Sequence, residues 1–194
     1  MNLKHCGLLL VALVALPAGR SVAQAPAGRY DLKLSEADGR LLVSEELAKG
    51  NNGLVRLSLL PQGRAFAIEN RRITLAAVAQ TDMLSCPVWI SGVPAIVANK
   101  LTIAGADVRT DGALCNGTLT MLRPQALEAL TAHPWDLVGR LAQASTRASM
   151  PGPRLPVKDC LLPEQLTLSD VGLKGDSLLI RVSVAARPAG ATCS

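Results

Sequence analysis

A chain of 194 residues with twenty Lys and Arg against fifteen Asp and Glu, a net charge of +5 and only four aromatic rings is too weakly basic and too poor in stacking groups to serve as a nucleic-acid platform. Nearly half of it, 49%, is hydrophobic, so aliphatic side chains must fill the core. Its length suits one domain.

Met1-Asn2-Leu3-Lys4-His5 makes a short basic start, and an apolar run from Cys6 to Leu16 follows before small residues continue to Ala25. The apolar run falls well short of the roughly 20 residues that a membrane-spanning helix needs, which predicts a secretory signal peptide. Ser21-Val22-Ala23 puts small residues where the peptidase reads, so residues 1–23 are expected to be removed and 24–194 to form a single exported domain, periplasmic or extracellular. Loss of Lys4 and Arg20 lowers the net charge to +3. No later stretch is long and apolar enough for a membrane helix, so no transmembrane segment is expected after cleavage.

Export would leave Cys86, Cys115, Cys160 and Cys193, an even set in a compartment where disulfides persist. Four cysteines allow three pairings. The register of the final hairpin, derived below, favours Cys160 with Cys193, and elimination then leaves Cys86 with Cys115. Each bridge of this loop size stabilises by roughly 3–4 kcal/mol in the chain-entropy account.

In chain order, Tyr30 to Leu34 and Leu41 to Val43 flank Asp38-Gly39, which predicts a first hairpin. Lys49-Gly50-Asn51-Asn52-Gly53 is loop chemistry, and Leu54 to Leu60 resumes as a strand with Val55, Leu57 and Leu59 on one face. After the turn at Pro61-Gln62-Gly63, Ala65 to Ile68 and Ile73 to Val78 are two short strands around Glu69-Asn70-Arg71-Arg72. The segment from Cys86 to Pro94 contains two prolines that cannot donate to a central ladder, so an edge or loop is expected there.

Leu101 to Leu114 aligns with Leu166 to Leu179 at an offset of 65 positions, with Leu101, Thr102, Asp111 and Leu114 recurring as identical residues. The internal repeat predicts two strand-turn-strand units of one design. Between them, Pro124 to about Ala144 reads as a helix with Leu127, Leu130, Leu137, Val138 and Leu141 on one face. Pro134 should kink it or split it at His133-Pro134. From 145 to about 157 the composition turns to Ser, Arg, Pro and Gly, and a linker is expected.

The last hairpin carries the sharpest pattern. Leu178, Ile180, Val182 and Val184 alternate with Leu179, Arg181, Ser183 and Ala185, the period of two required of a strand with one buried face. Leu166 to Leu173 precedes it as a second strand, and Lys174-Gly175-Asp176-Ser177 supplies the turn. Centred on Gly175-Asp176, the ladder would set Cys160 opposite about residue 191, close to Cys193. The expected fold class is mainly β, of the α+β kind: a curved antiparallel sheet of hairpins with one Pro-interrupted amphipathic helix, stapled by disulfides.

Catalytic chemistry finds little to stand on. After the leader the sole histidine is His133; there is no Gly-x-Ser-x-Gly, phosphate loop, His-Glu-x-x-His or dinucleotide fingerprint. Glu45-Glu46 are adjacent, and neighbours on either a strand or a helix diverge too far for paired acid–base work. Asp107, Asp111, Asp170 and Asp176 recur with the repeat and lack the alternating oxygen ligands of a calcium loop. Asn116-Gly117-Thr118 fits a glycosylation acceptor. No catalytic residue, cofactor or metal is expected.

The pattern Leu-Thr-Leu, Val-x-Leu and Gly-Asp-x-Leu-Leu-Ile between Leu166 and Ile180 resembles the repeating hairpins of bacterial envelope proteins of the AsmA-like and tubular lipid-binding groups. The resemblance implies a sheet around an apolar groove that holds acyl chains. On that expectation the groove would be lined by Leu101, Ile103, Leu137, Leu141, Leu178, Ile180, Val182 and Val184. The function expected from it is non-enzymatic binding of lipid or another hydrophobic ligand in an aliphatic groove of an exported envelope protein. A second expectation is a β-rich interaction or assembly module whose strand edges pair with a partner in an envelope or secretion complex. Neither involves nucleic acid.

Overall fold

The computed structural model of the protein describes residues 27–50, 56–61, 64–117, 120, 135–157, 159–188 and 190–192. The leader expected over 1–23 lies outside them, as do His133, Pro134 and the part of the helix expected before Trp135. The elements run β1 (Gly28–Leu34), α1 (Glu36–Gly50), β2 (Arg56–Leu59), β3 (Phe66–Glu69), β4 (Arg72–Gln80), β5 (Ser85–Val97), β6 (Lys100–Thr110), α2 (Leu137–Thr146), β7 (Leu166–Lys174) and β8 (Ser177–Val184). The fold is mainly β and antiparallel, as the alternating patterns require. It is built as two open sheets rather than one: β1-β8-β7, and β2-β4-β5-β6 with β3 also on β4.

The expected first hairpin does not form, because the chain from Glu36 to Gly50 is the helix α1. Ser35 and Asp38 close a capping box: the Ser35 N–H and hydroxyl donate to the Asp38 carboxylate at 3.0 and 2.7 Å, and the Asp38 N–H donates to the Ser35 hydroxyl at 3.2 Å. Such a box satisfies helix-start N–H groups that would otherwise lack partners. Gly39 is there for contact rather than for a turn. A Cβ on it would lie 2.4 Å from the Phe66 ring, so the missing side chain lets α1 seat on β3.

In the larger sheet β2 and β3 lie end to end along one edge of β4, with Leu57↔Ala79 in one pairing and Phe66↔Leu75 in the other. Asn70 and Arg71, at φ +52° and +59°, form the two-residue turn into β4, the twist that tight hairpins favour. The segment expected as an edge or loop is instead the central strand β5, paired with β4 from Ile73↔Gly92 to Gln80↔Ser85 and with β6 along most of its length. Its prolines sit where one ladder has run out. Pro87 lies one residue past Val88↔Thr110, the last pair with β6, and its carbonyl on that side takes the Thr110 hydroxyl instead. Pro94 lies beyond Gly92, the last residue of β5 paired with β4.

The repeat holds for one strand only. Leu101 and Leu166 are both buried, as are Ile103 and Leu168, and each strand carries a bulge a few residues on. After that the copies part: β6 is one continuous strand to Thr110, and the described residues 113–117 are helical rather than a second strand. Cys115, bonded to Cys86 at the start of β5, holds that segment beside the sheet.

Trp135 is extended and exchanges backbone hydrogen bonds with Leu101, donating at 2.7 Å and accepting at 3.3 Å. The helix α2 therefore begins at Leu137, where Asp136 caps it by accepting from the Gly139 N–H at 2.9 Å. The expected linker is packed rather than free. Leu155 is buried, the Arg140 guanidinium donates to the Pro151 carbonyl, and the Arg154 guanidinium donates to the carbonyls of Arg147, Ala148 and Met150 at 2.6–2.7 Å.

The final hairpin forms where its pattern predicts, closing at Lys174↔Ser177, with a bulge between Leu168 and Asp170 that shifts the register before Leu166↔Val184. Local pattern does not reveal that β1 returns to pair with β8, Tyr30 opposite Val182. The two sheets, α1 and α2 share one aliphatic core, with Phe66 and Trp135 in tilted contact at 6.0 Å between ring centroids.

Candidate functional site

The eight residues expected to line a groove do come together, as solid core. Leu101, Ile103, Leu137, Leu141, Leu178, Ile180, Val182 and Val184 all belong to one buried cluster, and Leu178, Ile180 and Val182 are 0% exposed. A ligand lying along them would have to displace close-packed neighbours. Leu141 also borders a cavity, a small cleft of about 270 Å³ between α2 and the 147–161 segment, walled by Ala144, Ser145, Arg154, Leu155 and Leu161. The Ser145 hydroxyl there is satisfied, donating to the Ala142 carbonyl at 2.6 Å and accepting the Leu161 N–H at 2.7 Å.

Ionisable groups on the described surface act as struts. Glu36, at the start of α1, accepts from the Arg64 guanidinium and from the Ile68 N–H at 3.1 Å, tying the helix to β3. The bonded Arg64 holds the Glu36 carboxyl below the usual carboxylate range. The Glu45 and Glu46 side chains part on α1, Glu45 to the buried Arg140 of α2 and Glu46 to Lys49 at 2.6 Å. Among the described residues no group of His, Cys, Asp and Glu is arranged to hold a metal ion, and no helix is long and apolar enough to cross a membrane.

Cys86 and Cys115 are joined, with Cα atoms 5.7 Å apart, the pair that elimination leaves in the sequence. Cys160 is disulfide-bonded as well; its expected partner, Cys193, lies outside the described residues. The Arg187 guanidinium donates to the Cys160 carbonyl at 2.7 Å and approaches its sulfur at 3.2 Å.

The backbone edge of β7 that faces away from β8 has no paired strand among the described residues, although β5 packs close to β7. Asn99, in the turn from β5 to β6 at φ +63°, donates its side-chain amide to the Leu166 carbonyl at 2.9 Å and accepts the Leu168 N–H at 2.7 Å. It thus imitates one residue of a neighbouring strand. Leu166 and Leu168 must therefore face away from β8. At the other end Lys174↔Ser177 closes a two-residue turn and is a hydrogen-bonded pair, so Lys174, Gly172 and Asp170 face β8 while Val171 and Leu173 face outward. No described residue pairs with the outward N–H and C=O groups of Val171 and Leu173. Asp170, Gly172 and Lys174 are exposed, and a Cβ on Gly172 would meet nothing within 4 Å.

Other edges differ in kind. β1 presents Arg29, Asp31 and Lys33 as exposed charges, a pattern that discourages strand addition, and β6 is met at Leu101 by Trp135. Sequence inspection misses this site because the half of β7 that Asn99 covers depends on a residue 67 positions away from Leu166. Ala98-Asn99 between two alternating runs is the sole local signal, and it announces a turn, not a contact. No family model, curated protein or solved structure matches the chain.

Proposed function

We propose that this protein is an exported, non-enzymatic assembly module of an envelope or secretion complex that takes a partner strand on the free edge of β7. The observation that carries it is the run 170–174, where outward backbone groups of Val171 and Leu173 stand without a described partner between the Asn99 clip and the hairpin turn. Main-chain pairing supplies affinity in strand addition, and alternate side chains supply specificity. The basic start and apolar run before Ala25 and the bonded cysteines support export.

The cleft beside Leu141 favours a second reading, in which a small apolar ligand enters between α2 and Leu155. This keeps the hydrophobic-ligand function but moves it away from the sheet. Native mass spectrometry of gently purified protein separates the two. The assembly reading expects lipid-free protein, whereas stoichiometric retained lipid would overturn it in favour of the ligand.

A further inference from the structure

The free segment of β7 is self-complementary, and we propose that its partner strand is β7 of a second copy of this chain. This rests on the strand-addition reading and names its occupant. Antiparallel pairing about a two-fold axis through Gly172 sets Val171 opposite Leu173 of the second copy, and Leu173 opposite its Val171. Those are the residues whose backbone groups face outward, so both pairs can exchange N–H and C=O bonds. The side chains of Val171 and Leu173, half-buried in the single copy, become direct cross-strand neighbours.

The same register fixes the charges. Asp170 falls opposite Lys174 of the second copy, twice over, at non-hydrogen-bonded positions where side chains approach most closely. Asp170 has Arg181 at 3.7 Å as its present neighbour, which leaves a carboxylate oxygen for the lysine. Gly172 meets Gly172 on the axis, where the strands are nearest and the space beside it is open. Pairing ends on one side at the Leu168 N–H that Asn99 already holds, and on the other at the Gly175-Asp176 turn. An isologous contact of this kind closes on itself and does not propagate. Its small size makes it a weak dimer, dependent on concentration.

Sedimentation velocity over a range of protein concentrations tests the proposal. The wild type should pass from monomer to dimer. Lys174→Asp, which sets two carboxylates opposite each other on both sides of the axis, should weaken association about tenfold, and the reversed pair Asp170→Lys with Lys174→Asp should recover it. Recovery also shows that the variants fold. Association indifferent to these reversals would overturn the proposal, as would a wild type that stays monomeric throughout. In the monomeric case the amides decide what else falls: fast exchange at Val171 and Leu173 leaves strand addition by another partner standing, and slow exchange removes both.

Discussion

At Gly39 and Glu36 single atoms decide how α1 meets the sheet. Because a Cβ on Gly39 would lie 2.4 Å from the Phe66 ring, Gly39→Ala should destabilise by about 1–3 kcal/mol through overpacking. In an open helix the same change would stabilise by about 1 kcal/mol, so the sign in urea unfolding is diagnostic, and a stabilised variant would contradict the contact. Glu36 tests the electrostatics. Its carboxyl is held low by Arg64, so the stabilisation is complete above the unfolded carboxylate pKa and is lost as pH falls through the folded value. Unfolding measured from neutral to acid should show wild type ahead of Glu36→Gln at neutral pH and the gap closing as acid is added. A gap independent of pH would contradict the ion pair.

The elements show where local pattern suffices. The β3–β4 and β7–β8 hairpins are legible because period-two stripes flank turn residues such as Asn70-Arg71 and Gly175-Asp176. The helix α1 is concealed because Asp38-Gly39 imitates a turn, although Ser35-x-x-Asp38 is a helix-start signature. β5 is concealed because the ladder ends that excuse Pro87 and Pro94 are set by other strands. Asn99 belongs here too, as one side chain holding the β5–β6 turn to the other sheet. Asn99→Gly keeps the positive φ available and removes both bonds to β7, so a loss of about 1–3 kcal/mol is expected, with faster amide exchange at Leu168. No change in either would contradict the clip. The Cys86–Cys115 bond ties the segment after β6 to the start of β5. Replacing both cysteines by serine should lower stability by roughly 3–4 kcal/mol, and a urea curve that scarcely moves would contradict that.

At the scale of the molecule, the eight apolar residues expected to line a groove are buried in the core that joins the two sheets, α1 and α2. The alternation of Leu178 to Val184 states that one face of β8 is buried, and it is silent on whether protein or ligand covers that face. Sheet pairing between β1 and β8, 144 or more positions apart in the chain, likewise leaves no local trace. Among the described residues the outward edge of β7 at Val171 and Leu173 has no paired strand, and amide-resolved hydrogen exchange on dilute protein tests most directly whether it is open to a partner. Gly172 and Lys174, facing β8, and Leu168, held by Asn99, should exchange slowly, while Val171 and Leu173 exchange at nearly the rate of an unstructured peptide. Protection of Val171 and Leu173 equal to that of Gly172 in the monomer would mean that the edge is covered within the chain, and would contradict the account.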